Sequence, residues 1–255
     1  VTADSTGAAG AITIDTSTLT SVTGTFDDNS GNDTIALTLS QDGVNISSAN
    51  TTDVDTIALA NNVGATMTRA QDAKINAATG TNTVTLTDAG AVTGNANVET
   101  YVLADGGGTT FTLGADAQNV TTGNGADIVD VGTRTATGTF TTVTADTIKL
   151  GNGADVKGVD SGAGAGGAFT ANTLELASGA SVTMTAAQNN SFTSATAIGT
   201  ETIAISDAND ATGLATIETY TLAAGTQTFT LGATGQNVTA DSTGAAGAIT
   251  IDTST

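Results

Sequence analysis

The side chains best placed to do chemistry are carboxylates beside tight glycine turns. TGNGADIVD at 122–130 carries Gly123, Gly125, Asp127 and Val129 in the positions of a calcium-binding nonapeptide, with Thr122 where that pattern opens on Gly. NSGNDTIAL at 29–37 offers Gly31, Asp33 and Ile35. LGNGADVKG at 150–158 offers Gly151, Gly153 and Asp155, with Lys157 at the aliphatic position. Such turns expose carbonyl oxygens, and the Asp adds charge for a hard cation that takes about six to eight oxygens. The same letters are also ordinary corner sequence in a Gly-rich chain. The copies stand apart, Asp127 and Asp155 being 28 residues from each other, and that isolation weighs toward plain turns. The acid pairs Asp27-Asp28 and Asp53-Val-Asp55 read as solvated faces.

Other chemistries are poorly supplied. The chain has no His and no Cys, so the common general bases, nucleophiles and transition-metal ligands are missing and no catalytic residue is assigned. Its 25 acidic residues face 5 basic ones, for a net charge of −20. Arg69, Lys74, Arg134, Lys149 and Lys157 form no basic patch, which argues against nucleic acid and invites divalent cations. No apolar run is long enough to span a bilayer, so membrane insertion is not expected. Thr-x-Thr runs, as in Thr81–Thr87, Thr110-Phe-Thr112 and Thr228-Phe-Thr230, could order water on a flat face or simply reflect strand propensity. Asn-x-Ser/Thr sequons at Asn32, Asn45, Asn50, Asn119, Asn189 and Asn237 are expected from a composition this rich in both residues.

The elements that must position these residues emerge from repetition. Residues 1–18, VTADSTGAAGAITIDTST, recur unchanged at 238–255, an offset of 237. Inside that long period a short one runs: an aliphatic or Tyr, any residue, then another aliphatic, often after Asp-Thr, Asn-Thr or Glu-Thr. It starts at Ile12, Ile35, Ile57, Val84, Tyr101, Val129, Ile148, Leu174, Ile203, Tyr220 and Ile249. Alternation of this kind buries one strand face and wets the other. The middle residues include Thr13, Asp130, Lys149 and Glu175, which need water. The second five steps echo the first five, and VETYVLADGGGTTFTLGADAQNVT at 98–121 matches IETYTLAAGTQTFTLGATGQNVT at 217–239 with one gap. GATMTRAQ likewise matches ASVTMTAAQ, keeping Gln71 as Gln188.

This pattern predicts an all-β chain, a β-solenoid of about ten coils per 237-residue repeat. The half-repeats are two homologous sets of five coils, approximately 12–128 and 129–248, and 238–255 opens the next tandem copy. Helix is disfavoured by abundant Thr and Gly, with at most one or two turns at 68–79. The expected partner is another copy of the chain along the solenoid axis.

Taken together, VETYVLADGGGTTFTLGADAQNVTTGNGADIVDVG, ASVTMTAAQ and GNDTIAL resemble Thr/Gly/Ala-rich bacterial surface proteins of the calcium-binding repeats-in-toxin (RTX) type, including surface-layer proteins and giant repetitive adhesins. The resemblance implies secretion to the cell surface or beyond, a β-solenoid shaft and ordering by Ca2+. The implied ligands are Asp33, Asp127 and Asp155 with neighbouring Gly and Asn groups, Asn124 and Asn152 among them. A structural repeat of an extracellular filament, stalk or surface array is the expected role. An adhesin shaft that binds a surface, glycan or ice is the alternative.

Overall fold

A computed structural model of the chain describes residues 10–27, 33–143, 145–162, 164–240 and 247–253. Asp28, Gly31, the Asn32 sequon and much of the duplicated 18-residue segment lie outside them.

The described residues form a β-solenoid of parallel strands. Successive strands fall alternately into two stacks, so each coil contributes two short strands joined by turns. The first stack contains Ala11–Asp15, Thr34–Leu39, Val54–Leu59 and Ile75–Ala78. It resumes at Ala91–Thr93 and continues through Ile128–Gly132 and Thr147–Leu150 to Thr173–Leu176 and Ser194–Thr196. The second contains Gly64–Met67, Thr83–Leu86, Thr100–Val102 and Asn119–Thr121, then Ser181–Met184 through Asn237–Ala240.

Inward positions form files down the axis. Val92, Phe111, Val129, Ile148, Leu174 and Ala195 occupy matched register on six consecutive strands. Ala65, Val84, Tyr101, Val120 and Phe140 do the same opposite them. All eight aromatic side chains are buried. Two of their pairs are duplicates: Tyr101–Phe111 and Tyr220–Phe229 each have centroids 4.7 Å apart. Outward positions are wet, and Lys149 sits 3.5 Å from both Asp130 below and Glu175 above. The Asp130 charge chiefly raises the Lys149 pKa; burial opposes it, and the Glu175 charge adds to the rise.

The coil count differs from the ten expected. The chain makes about twelve turns, roughly 20 residues each. The aliphatic pairs mark one strand per coil, but not always the same strand. Ile12, Ile35 and Ile57 lie in the first stack, and Val84 and Tyr101 in the second. Val129, Ile148 and Leu174 return to the first. The steps of 27 to 29 residues are therefore one and a half turns, and each half-repeat spans about six coils. The duplication read from the sequence has structural counterparts in some elements and not in others. It includes two short helices, Arg69–Asp72 (α1) and Ala186–Ser191 (α2), each begun by a capping box, Thr68 with Gln71 and Thr185 with Gln188.

Tight corners explain part of the glycine content. A Cβ on Gly114 would lie 1.9 Å from the Gly94 carbonyl oxygen of the preceding coil, and one on Gly232 would lie 1.7 Å from that of Gly213. Only Gly lets those two coils stack at strand spacing, about 4.8 Å.

Candidate functional site

The polar residues of this chain converge on the seams between coils. The acid or amide that leads into a strand accepts a backbone N–H from the coil before it. Asp33 accepts from Gly10 at 2.8 Å, Asp55 from Ile35 at 2.8 Å, Asn82 from Val63 at 2.8 Å and Glu99 from Asn82 at 2.7 Å. Asp127 accepts from Thr109 at 2.6 Å and Asp146 from Asp127 at 2.9 Å. In the second half Glu201 accepts from Gly179 at 3.0 Å and Glu218 from Glu201 at 2.9 Å. All but Asp127, which precedes Ile128, are residues of the recurring Asp-Thr, Asn-Thr and Glu-Thr pairs. A charged acceptor on a backbone donor makes a stronger bond than a neutral one.

Corner glutamines form a second set of ties. Gln118 Nε2 donates to the carbonyls of Asn95 and Val98 at 2.7 and 2.9 Å, while its Oε1 accepts from Gly114 at 2.6 Å. Gln236 repeats this toward Leu214, Ile217 and Gly232, each at 2.8 Å. Gln71 reaches Ile46 and Ala49, and Gln188 reaches Val156. Lys74 closes a corner of its own, its ammonium donating to the carbonyls of Thr51, Thr52 and Val54 at 2.7, 2.9 and 2.6 Å.

Each expected cation ligand has a place in this framework. Asp33 and Asp127 are strand-leading acceptors, 6 % and 0 % exposed. Asn124 donates its N–H to Asp105 at 2.8 Å and its Nδ2 to the same oxygen at 3.1 Å. Asn152 accepts from the Ser181 N–H at 3.0 Å, across a seam. Asp155 takes the N–H of Lys157 at 3.1 Å and pairs with its ammonium. Asp127 keeps one oxygen, Oδ2, buried without a hydrogen bond. Burial, aided by the charges of Asp146 and Asp105, raises its pKa, while the Thr109 and Gly123 amides oppose that. Among the described residues no three acidic side chains gather around a point where a metal could sit. The contacts these side chains make are hydrogen bonds and an ion pair with protein groups.

The buried tie between Asp72 and Tyr101 has no signature in the sequence. Tyr101 accepts from the Asn95 N–H at 2.7 Å and donates to Asp72 Oδ1 at 3.1 Å. Burial raises Asp72 to about 6, and the Tyr101 bond only partly offsets it. Burial likewise raises Tyr101 and Tyr220. The glutamine ties did leave a signal, in Gln71 and Gln188 and in the shared QNVT of the two half-repeats. What this arrangement accomplishes chemically is cohesion between coils. No protein-family model matches the chain, and neither does any curated protein or solved structure.

Proposed function

We propose that the chain is a structural repeat of an extracellular filament, stalk or surface array, in which 237-residue repeats stack end to end as one unbroken β-solenoid. One observation carries this reading. The duplicated segment is used as a strand twice, once against the coil after it and once against the coil before it. As Ala11–Asp15 it ladders with Thr34–Leu39, placing Ile12 and Ile14 opposite Ile35 and Leu37. As Ile249–Asp252 it ladders with Gln227–Thr230, placing Ile249 and Ile251 opposite Gln227 and Phe229. Both ladders turn the same two isoleucines inward. Superposing the copies yields a single strand paired on both edges with no change of facing.

The chain already contains such a junction. The half-repeat boundary near 128–129 falls inside Ile128–Gly132, which ladders with Thr110–Thr112 on one edge and Thr147–Leu150 on the other. Val129 and Val131 there are 0 % exposed, whereas Ile251, with one neighbour, is 42 % exposed. Covering that apolar edge gains burial worth about 25 cal/mol per Å², and solenoid stability is largely a sum of such nearest-neighbour terms. The reading is non-catalytic, its buried acids being engaged in ties between coils. Secretion to the cell surface belongs to the same proposal and draws on the composition, with no Cys and few Lys or Arg for trypsin-like proteases to cut.

The test is electron microscopy of native material and of a chain carrying two consecutive repeats. About twelve coils at roughly 4.8 Å give an axial period of ~57 Å. An uninterrupted rod whose length doubles with repeat number is expected. Compact beads joined by flexible linkers would overturn the reading.

A further inference from the structure

The sequons are not equivalent once folded. Asn119 is locked across a seam, its Oδ1 accepting from Thr139 at 2.8 Å and its Nδ2 donating to Thr100 at 3.3 Å. Asn189 is 0 % exposed, with Nδ2 on the Thr212 carbonyl at 2.7 Å. Asn45 and Asn50 differ from both. They lie five residues apart on one corner, both exposed. Asn45 Oδ1 accepts the N–H of Ser47 at 2.9 Å and its hydroxyl at 2.7 Å. Asn50 Oδ1 accepts the N–H of Thr52 at 3.1 Å and its hydroxyl at 2.7 Å.

The sister half provides an internal control. The corner equivalent to NISSAN at 45–50 is DVKGVD at 155–160. Asn45 bridges Ser21 and pairs with Thr66, as Asp155 bridges Thr135 and Thr183; Asn50 pairs with Thr25, as Asp160 bridges Thr139. Asp155 and Asp160 accept the N–H two residues on, from Lys157 at 3.1 Å and Gly162 at 2.8 Å. The turn therefore needs only a side-chain oxygen at its first position. It accepts Lys or Gly where the first half has Ser47 and Thr52. Neither the amide nitrogens nor the two hydroxyls of the first half are required by the fold. They are the groups an N-glycosylation acceptor requires.

We infer that Asn45 and Asn50 are paired N-glycan acceptor sites, taking sugar from a donor activated as a glycosyl diphosphate by an external transferase. The amide Nδ2 attacks the anomeric carbon, the bond from that carbon to the diphosphate oxygen breaks, and diphosphate leaves with the electron pair. The proton lost from Nδ2 passes to the transferase's base. Two hydrogen bonds on Oδ1 draw density from the amide and make that proton easier to lose. Both asparagines are exposed, so a sugar attached there lies outside the stacked coils.

The experiment is site-resolved glycopeptide mass spectrometry on the full chain isolated from its native source. Sugar is expected on Asn45 and Asn50 and not on Asn119 or Asn189. A single sugar unit identifies a nucleotide-carried donor, and a preassembled oligosaccharide a lipid-carried one; either supports the assignment. Ser47→Ala and Thr52→Ala, made in the same host, should each lose sugar at the paired asparagine with circular dichroism unchanged, while Ser47→Thr retains it. Unmodified Asn45 and Asn50 in native material, or sugar that persists in both alanine variants, overturns the inference.

Discussion

Replacing Asp72 by Asn should stabilise the protein at neutral pH and leave it unchanged in acid. Asp72 is 2 % exposed and its pKa is lifted from 3.8 to about 6, chiefly by burial. Between those values the folded chain keeps a proton that the unfolded chain has lost. Folding stability therefore falls as pH rises through that window and is level above it. The difference of about two pH units corresponds to about 3 kcal/mol, an upper figure for what the neutral amide recovers at pH 7. Asn189 holds the equivalent place in the second half, where its Nδ2 donates to the Thr212 carbonyl. In Asp72→Asn the Oδ1 can still accept from Tyr101. At the usual scaling for a chain of this size, Tm rises by at most about 6–12 °C. The assay is thermal unfolding by circular dichroism from pH 3 to pH 8 for parent and Asp72→Asn. A variant less stable at pH 7, or a gap that does not close below pH 4, refutes the reasoning.

Gln118→Ala strands the Asn95 and Val98 carbonyls and should cost about 2–3 kcal/mol in urea unfolding, with an unchanged m-value. Gly114→Ala drives a methyl into the Gly94 carbonyl and should cost about 3 kcal/mol or more, visible as a lower Tm. Tyr101 and Tyr220 are the only tyrosines and both are held above their ordinary pKa. The folded state thus opposes their ionisation, stability declines as pH rises past 10, and phenolate absorbance should appear only together with loss of strand signal. Chelator is expected to leave strand content intact in far-ultraviolet circular dichroism, because the seams are closed by protein groups. Collapse to coil would show an obligatory metal.

The alternation Ile35-Ala-Leu37 or Ile148-Lys-Leu150 announces a half-buried strand, and the 237-residue recurrence announces an array. The second strand of each coil is quieter. Asn119-Val-Thr121 and Phe140-Thr141 bury a single side chain each, Ser194-Ala-Thr196 only half-buries Ala195, and none carries an aliphatic pair. A count of pairs therefore found ten units where there are about twelve. The glycine–aspartate turns were legible as turns, but the partner of Asp127 is an amide 18 residues earlier. A strand-leading acid and a cation ligand share the same letters. What separates them is which backbone group the next coil presents, and that depends on coil length, which here varies. Asp72 and Tyr101 lie 29 residues apart, farther than one coil, so no local spacing links them.

The strand-leading acids all reach backward, so this one set of ties has a direction, although Asp105 and Asn152 accept from later coils. Each newly arriving coil fastens the one already laid down, and the last coil to form is the first that can be freed. A chain delivered slowly through a pore could therefore set as it emerges, without waiting for its far end. Pulled from its later end, it should peel coil by coil, lengthening by roughly 70 Å at each rupture. Such stepwise yielding would let a tether lose a few coils under load and wind them back when the load falls.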